Sequence, residues 1–343
     1  MQETSHLPFA YEAGSARLYR LLPDGSAIAE PFSHSGAEPG VEAYIATTAG
    51  TRAICNDPRV YGLDYTARLQ AACADVLRAF PDLFPEREAV VVNILRGGLN
   101  FGLREALGAA FGWNAHTTCF MSAQRARDDA NPENWHITEN SYRKVYFPPR
   151  ASFVIGDVVA TGTSLRYGLH ELISAAHEQE IDVRNLVFFT FGGPKAQEIL
   201  AELDATCRSI FPDYNRTILV YFEGRFTCPS VGTPLTIRLT GTDLVRWGSL
   251  MAPEFIESQY GDPAFPIERC TIYDAGSRAF WTREYIEDVI GYWRQNLQLA
   301  EHGMAYAQLL AERFPELDPA RFGDVDLGAL SRRQIEDLEK LLG

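Results

Sequence analysis

Apolar runs of strand length recur through the middle of this chain, each closed by glycines or small polar residues and followed by a segment of helical period. Ala89 to Leu95 is broken only by Asn93 and leads into Arg96-Gly97-Gly98 and a helix through Ala110. Phe153 to Ile155, extended by Val158-Val159, leads into Ala160-Thr161-Gly162-Thr163-Ser164 and an amphipathic helix from Ser164 to Gln179. Asn185 to Phe191 ends at Gly192-Gly193-Pro194 before a helix over Lys195 to Leu203, and Thr217 to Phe222 ends at Glu223-Gly224. Runs without polar alternation suit strands covered on both faces. Their alternation with helices across short connections predicts an α/β fold with a parallel sheet flanked by helices.

Ahead of these units, Asp64 to Phe80 carries Leu69, Ala72, Val76 and Leu77 at helical spacing and is closed by Pro81. His116 to Met121 and Lys144 to Phe147 read as short strands around a polar stretch. Residues 1–60, punctuated by Gly, Pro and Ser, read as an N-terminal accessory segment, and 61–230 as the core. Residues 231–343 read as a hood with a C-terminal helical extension, including helices over Tyr285 to Met304 and Gln334 to Leu342.

A formal net charge of −14 argues against a broad nucleic-acid surface, although a local basic patch survives in many acidic proteins. The six cysteines are scattered with no C-x-x-C pair. Their even number leaves a disulfide framework open by count, but a 343-residue chain needs no such staples, and a reducing cytoplasmic setting is expected. Met1-Gln2-Glu3-Thr4-Ser5-His6 has neither a basic nor an apolar signal region, and no apolar run approaches the roughly 20 residues of a membrane helix.

The chemistry concentrates at the ends of the apolar runs. Asp157 stands at the carboxyl end of its strand, the edge at which open α/β sheets bind ligands. The small residues after it open a helix whose first amides and dipole form an anion cradle. A carboxylate beside such a cradle suits a sugar phosphate, with amides holding the phosphate and the acid accepting from ribose hydroxyls. At the second loop, Arg96 offers a planar fork for phosphate oxygens, and Gly97-Gly98 lets backbone amides wrap an anion.

The stretch from Asp157 to Leu165 resembles the phosphoribosyl-pyrophosphate (PRPP) motif of type I phosphoribosyltransferases, with one departure. That family has acid at one or both of the positions occupied here by Gly156 and Asp157, and only the second is acidic. Ile94-Leu95-Arg96-Gly97-Gly98-Leu99 resembles the diphosphate loop of the same family, in the form found in uracil phosphoribosyltransferases. Gly192-Gly193-Pro194-Lys195, with Phe211-Pro212-Asp213 later, is similar in layout to those enzymes. Asp274-Ala275-Gly276-Ser277-Arg278-Ala279-Phe280 resembles their segment for base and diphosphate, with Tyr273 in place of the preceding glycine. The resemblance covers roughly residues 85–280.

What the resemblance implies is phosphoribosyl transfer from PRPP to a nitrogen heterocycle, a uracil-like pyrimidine or an unusual base, with release of pyrophosphate. Asp157 and Arg96 are then the catalytic residues, and Ala160, Thr161, Gly162, Thr163 and Ser164 hold the 5′-phosphate. Arg96, Gly97, Gly98, Arg125 and Arg127 hold the pyrophosphate, the last two from a polar loop over Ser122 to Lys144 that closes on the site. Tyr273, Asp274, Ala275 and Gly276 hold the base. Mg²⁺ is the implied cofactor, carried mainly by substrate oxygens with Asp274 as a protein ligand, and a homodimer is the implied assembly. No nucleic-acid or membrane partner is expected. Phe222, Tyr273, Phe280 and Trp281 are aromatics expected near the base; each is read as core filling rather than a stacking surface. Two alternatives stay open: a non-catalytic sensor of PRPP or a nucleotide on the same fold, and an enzyme of altered reaction, such as nucleotide phosphorolysis or transfer to an unusual aromatic acceptor.

Overall fold

Valine, isoleucine and phenylalanine runs become the central strands because helices cover them on both faces and leave no side open to water. The computed structural model describes residues 11–13, 15–22, 27–28, 40–95, 97–127, 135–230, 232–237, 244–269 and 275–343. Strands β1 (Tyr11–Ala13), β2 (Ala16–Leu21), β3 (Ala27–Ile28) and β4 (Val41–Thr47) lead to helices α1 (Ala49–Asn56) and α2 (Gly62–Leu77). Strand β5 (Ala89–Leu95) runs through a 3-10 turn (Gly97–Phe101) into α3 (Leu103–Phe111), and β6 (Thr117–Ser122) follows. After β7 (Gln124–Arg127), β8 (Trp135–Glu139) and β9 (Arg143–Lys144) come the units β10 (Arg150–Val159), α4 (Thr163–Glu178), β11 (Asp182–Gly192), α5 (Pro194–Ile210) and β12 (Arg216–Thr227). The remainder comprises β13 (Val245–Met251), α6 (Pro253–Ser258), α7 (Ala275–Phe280), α8 (Thr282–Glu301), α9 (Tyr306–Arg313) and α10 (Leu327–Glu339).

The main sheet has the order β1-β2-β4-β12-β11-β10-β5-β6-β9, with β3 on β2 and β13 on β12. Strands β4, β12, β11, β10, β5 and β6 are mutually parallel, whereas β2, β13 and β9 join antiparallel. The carboxyl ends of the parallel strands therefore lie along one edge. Thr47, Gly192, Val159, Leu95 and Ser122 end there, and β12 passes the edge at Glu223, one residue after its last pair with β4. Strands β2 and β4, from within the first 60 residues, extend this same sheet.

Several element boundaries differ from the sequence reading for local reasons. Helix α5 continues past Leu203 to Ile210, because Cys207 and Leu203 stay on its buried face. Helix α10 begins at Leu327, where Asp326 caps it by accepting from the Ala329 amide at 3.0 Å. Within the polar stretch after Ser122, the described residues form an antiparallel ribbon, with Arg125 opposite Ile137 and Arg127 opposite Trp135. The strand expected over Lys144 to Phe147 pairs with β6 at Arg143 and Lys144. No described helix is long and apolar enough to cross a membrane.

Helix α7 is fastened to the core by one side chain. Arg278 is fully buried and donates through Nε to the Val60 carbonyl at 2.6 Å and through Nη2 to the Asp57 carbonyl at 2.9 Å. Its guanidinium lies 5.1 Å from the Tyr65 ring centroid and 5.3 Å from that of Tyr285, whose hydroxyl donates to the Pro58 carbonyl at 3.0 Å. Two cation–π contacts and satisfied carbonyls offset the cost of burying the charge. Arg278→Ala is expected to destabilise the protein by roughly 3 kcal/mol, since it empties the site and takes the buried Val60 carbonyl's donor, while the Asp57 carbonyl keeps the Val60 amide at 3.1 Å. A urea-unfolding midpoint within error of the wild type would contradict this account.

Candidate functional site

The site builds from the end of β10. Gly156 and Asp157 are its last residues before Val158-Val159, and Asp157 Oδ1 accepts from the Val158 amide at 2.9 Å, which orients the carboxylate at the strand end. The 3-10 turn after β5 comes down on it. A Cβ added at Gly97 would stand 2.6 Å from Asp157 Oδ1, and one at Gly98 would stand 3.0 Å from the Gly156 carbonyl oxygen. Two loops some 60 residues apart in sequence thus meet at the carboxylate, and only glycine permits the approach.

Gly156 has a steric reason. A side chain there would collide with Phe101: an added Cβ would fall 2.8 Å from Phe101 Cβ and closer still to the ring. Phe101 is fully buried and stacks on Phe222 at a centroid distance of 6.5 Å, while Phe222 lies 6.0 Å from Phe189 and 5.4 Å from Phe191. The position where the resembling family carries a second acid is filled here by an aromatic core. Gly156→Asp is expected to lower stability by roughly 1–3 kcal/mol through overpacking, and Gly156→Asp with Phe101→Ala to lose less than the sum of the two single variants. Additive thermal shifts in the double variant would remove Phe101 as the cause.

Beyond Asp157 the chain enters α4 through Ala160 to Gly162. Gly162 adopts the left-handed conformation (φ 76°), and a side chain there would meet Ile199 and stand 3.1 Å from Lys195 Cγ, so α5 braces the loop. No side chain caps the start of α4, and its first amides have no carbonyl one turn back within the helix. Thr161 Oγ1 lies 3.4 Å from Thr163 Oγ1; Thr161, Thr163 and Ser164 are half-buried, while Ala160 is buried. The arrangement is an open helix start carrying hydroxyls beside an oriented carboxylate, able to hold a phosphate next to a polyol.

Other anticipated residues distribute as follows. Gly276 and the backbone of Ala275 open α7, which packs on the Gly97–Phe101 turn and on α2, so this segment comes to the same edge. Arg278 is committed to the carbonyls described above. Arg125 and Arg127 lie on β7, whose ribbon packs against α4; their side chains lie outside the described residues. Arg96, Tyr273 and Asp274 also lie outside the described residues. Arg143 pairs with Glu171 on α4 at 3.2 Å. Phe222 fills the core as expected. Phe280 and Trp281 do not: each is about half exposed, at 48% and 49%, because α7 ends at the surface.

One residue of this edge carried no weight in the sequence reading. Glu223, on β12 just past its last pair with β4, is fully buried with a left-handed backbone (φ 64°), an unfavourable conformation for a non-glycine residue. Its carboxyl accepts from Thr47 Oγ1 at 2.7 Å, from the Thr48 amide at 3.1 Å and from Thr51 Oγ1, while Arg52 donates to Thr47 Oγ1 at 2.7 Å. Thr48 and Thr51 also form the capping box of α1. The available signal was a lone acid directly following a buried apolar run. Burial pushes its pKa up to about 7 against the lowering effect of its donors. A raised carboxyl pKa contributes stability that is fully present below about pH 4.5 and is lost as pH rises through about 7. Glu223→Gln is therefore expected to abolish a loss of a few kcal/mol between pH 5 and 8. Parallel wild-type and variant stability curves across that range would contradict the assignment.

Among solved structures, a hypoxanthine-guanine phosphoribosyltransferase from Bacillus anthracis, determined with a HEPES molecule in its active site, is similar to 37% of this chain and 69% of its own. The identity is 18% and the TM-score 0.26, too low for the likeness to bear on fold or function. No family model and no curated protein matches the chain.

Proposed function

We propose that the protein is a PRPP-dependent phosphoribosyltransferase acting on a nitrogen heterocycle. The observation that carries this reading is the contact of the Gly97 turn with the Asp157 carboxylate, directly ahead of the uncapped start of α4. An anion cradle, a carboxylate and a second glycine loop at one sheet edge match the three parts of an activated sugar phosphate: 5′-phosphate, ribose hydroxyls and diphosphate.

In this reading the amides and hydroxyls of Thr161 to Ser164 anchor the 5′-phosphate, so that binding away from the reacting carbon fixes its position. Asp157 accepts from the ribose hydroxyls and sets a negative charge near the cation that develops on the sugar ring. The anomeric carbon–oxygen bond breaks, its electron pair leaving with diphosphate toward Arg96 and the Gly97-Gly98 amides. A carbon–nitrogen bond forms from the lone pair of the acceptor nitrogen on the opposite face, and the proton that nitrogen carried passes to solvent. Arg125 and Arg127 join the diphosphate side, and Tyr273 to Gly276 the acceptor side.

Among the described residues no group of three or more His, Cys, Asp or Glu side chains gathers into a metal cage. In this reading Mg²⁺ would keep its waters and be held largely by substrate oxygens, with Asp274 as its protein ligand. When bound, Mg²⁺ neutralises charge on the leaving diphosphate.

Calorimetry with PRPP and Mg²⁺, followed by a diphosphate-release assay over a panel of heterocycles, tests the reading. The wild type should bind PRPP and release diphosphate with at least one acceptor, and Asp157→Asn should lower turnover by about 100-fold or more. Binding without turnover across the panel would favour a sensor; no heat from PRPP or any nucleoside monophosphate would end the proposal.

A further inference from the structure

The open edge of the sheet carries a second surface with chemistry of its own. Beyond β8 the chain returns along β6 in extended form. Tyr142 exchanges hydrogen bonds with Ser122, its amide donating to Ser122 Oγ at 3.1 Å and its carbonyl accepting from the Ser122 amide at 2.8 Å. Arg143 and Lys144 stand opposite Met121 and Phe120. The Tyr146 amide meets Cys119 Sγ at 3.3 Å. The segment from Tyr142 to Tyr146 is thus tied to β6 along its length, and β9 forms the outer end of the strand order.

Side chains alternate across this segment. Arg143 turns to α4 and pairs with Glu171, so its neighbours Tyr142 and Lys144 face the other way. Lys144 Nζ lies 5.8 Å from the Tyr146 ring centroid, which puts Lys144 and Tyr146 on the same side. Tyr142 is 47% and Tyr146 60% exposed. Lys144 is also exposed and makes no ion pair among the described residues. The result is a row of aromatic, cation and aromatic groups, with the two rings ~13 Å apart for four residues of extended chain.

We propose that Tyr142, Lys144 and Tyr146 form a stacking platform for single-stranded nucleic acid. Exposed rings interleaved with a cation are what that ligand requires: bases have π-faces that stack without sequence preference, and the phosphate between two stacked bases needs one positive charge. The net charge of −14 argues against a wide electrostatic footprint, and a three-residue row does not need one. The row also has a direction. Ser122, opposite Tyr142, pairs with Leu95 immediately before the diphosphate turn, so the platform starts two strands, ~10 Å, from that turn. A strand lying on it would have one end at the candidate site. The proposal rests on the sheet edge and not on the transferase reading.

Fluorescence anisotropy with labelled oligothymidylate and oligouridylate of about ten nucleotides, at low and rising salt, tests it on the full chain. Both oligonucleotides should bind. Tyr142→Ala and Tyr146→Ala should each weaken binding by about tenfold, while Tyr146→Trp retains it. Lys144→Gln should make the log–log salt dependence shallower by roughly 0.7. All three side chains are exposed, so unchanged thermal unfolding of each variant separates lost binding from lost fold. Absence of binding at low salt, or binding indifferent to both tyrosine substitutions, would overturn the proposal. So would a dimer that Tyr146→Ala dissociates in the absence of any oligonucleotide binding, which would assign the face to a second copy of the chain. PRPP calorimetry on Tyr146→Ala, which lies outside the Ser122 to Lys144 loop, should be unaffected, so failure here and failure of the transferase reading are read separately.

Discussion

The packing of Phe101 against the backbone of Gly156 is the constraint from which the rest of the site follows. Because the ring occupies the space of a side chain at position 156, the turn from Gly97 to Phe101 seats directly on β10. That seating brings Gly97 against the Asp157 carboxylate and Gly98 against the Gly156 carbonyl. Beneath the ring, Phe222 joins it to Phe189 and Phe191, so the floor of the site is an aromatic layer shared by the parallel strands β11 and β12 and the turn. Aromatic pairs of this kind contribute about 0.5–1.5 kcal/mol each beyond the area they bury. Their larger effect here is geometric, since they leave the two loops one way to meet.

Two carboxyl groups on the same edge illustrate how position decides role. Asp157 is half-buried near the end of β10, takes a hydrogen bond from its neighbour's amide and lies six residues ahead of the start of α4. Glu223 lies two strands away, fully enclosed, with its donors supplied by β4 and the first turn of α1. One carboxylate is half-buried beside the glycine turn. The other is a structural clasp joining β12 to the β4–α1 connection.

Much of this was legible in the residues. Unbroken apolar runs such as Ala89–Leu95 gave the parallel strands directly, because burial on both faces leaves no polar alternation to confuse the reading. The glycines of Gly97-Gly98 and the small residues after Asp157 marked the loops, since their conformational demands are local. Less accessible was anything decided by distant partners. Nothing near Gly156 in sequence announces that Phe101 fills its side-chain space. Arg278, in a segment that resembles one for base and diphosphate, is held by carbonyls more than 200 residues earlier. Phe280 and Trp281 were read as core because aromatic residues are usually buried, and the end of a short surface helix left them in solvent. The polar stretch after Ser122 hid a ribbon because strands with few apolar residues lack the period that reveals them.

The anchoring of α7 also bears on how this chain can be divided. Residues beyond 230 supply the guanidinium that satisfies the Asp57 and Val60 carbonyls and the tyrosine that satisfies Pro58. The connection between α1 and α2 therefore depends on late residues for its polar partners, and those residues depend on it for theirs. A fragment ending with the last parallel strand would expose the Val60 and Pro58 carbonyls and a tyrosine face that the full chain buries. The apparent cap over the sheet is, in energetic terms, part of its foundation.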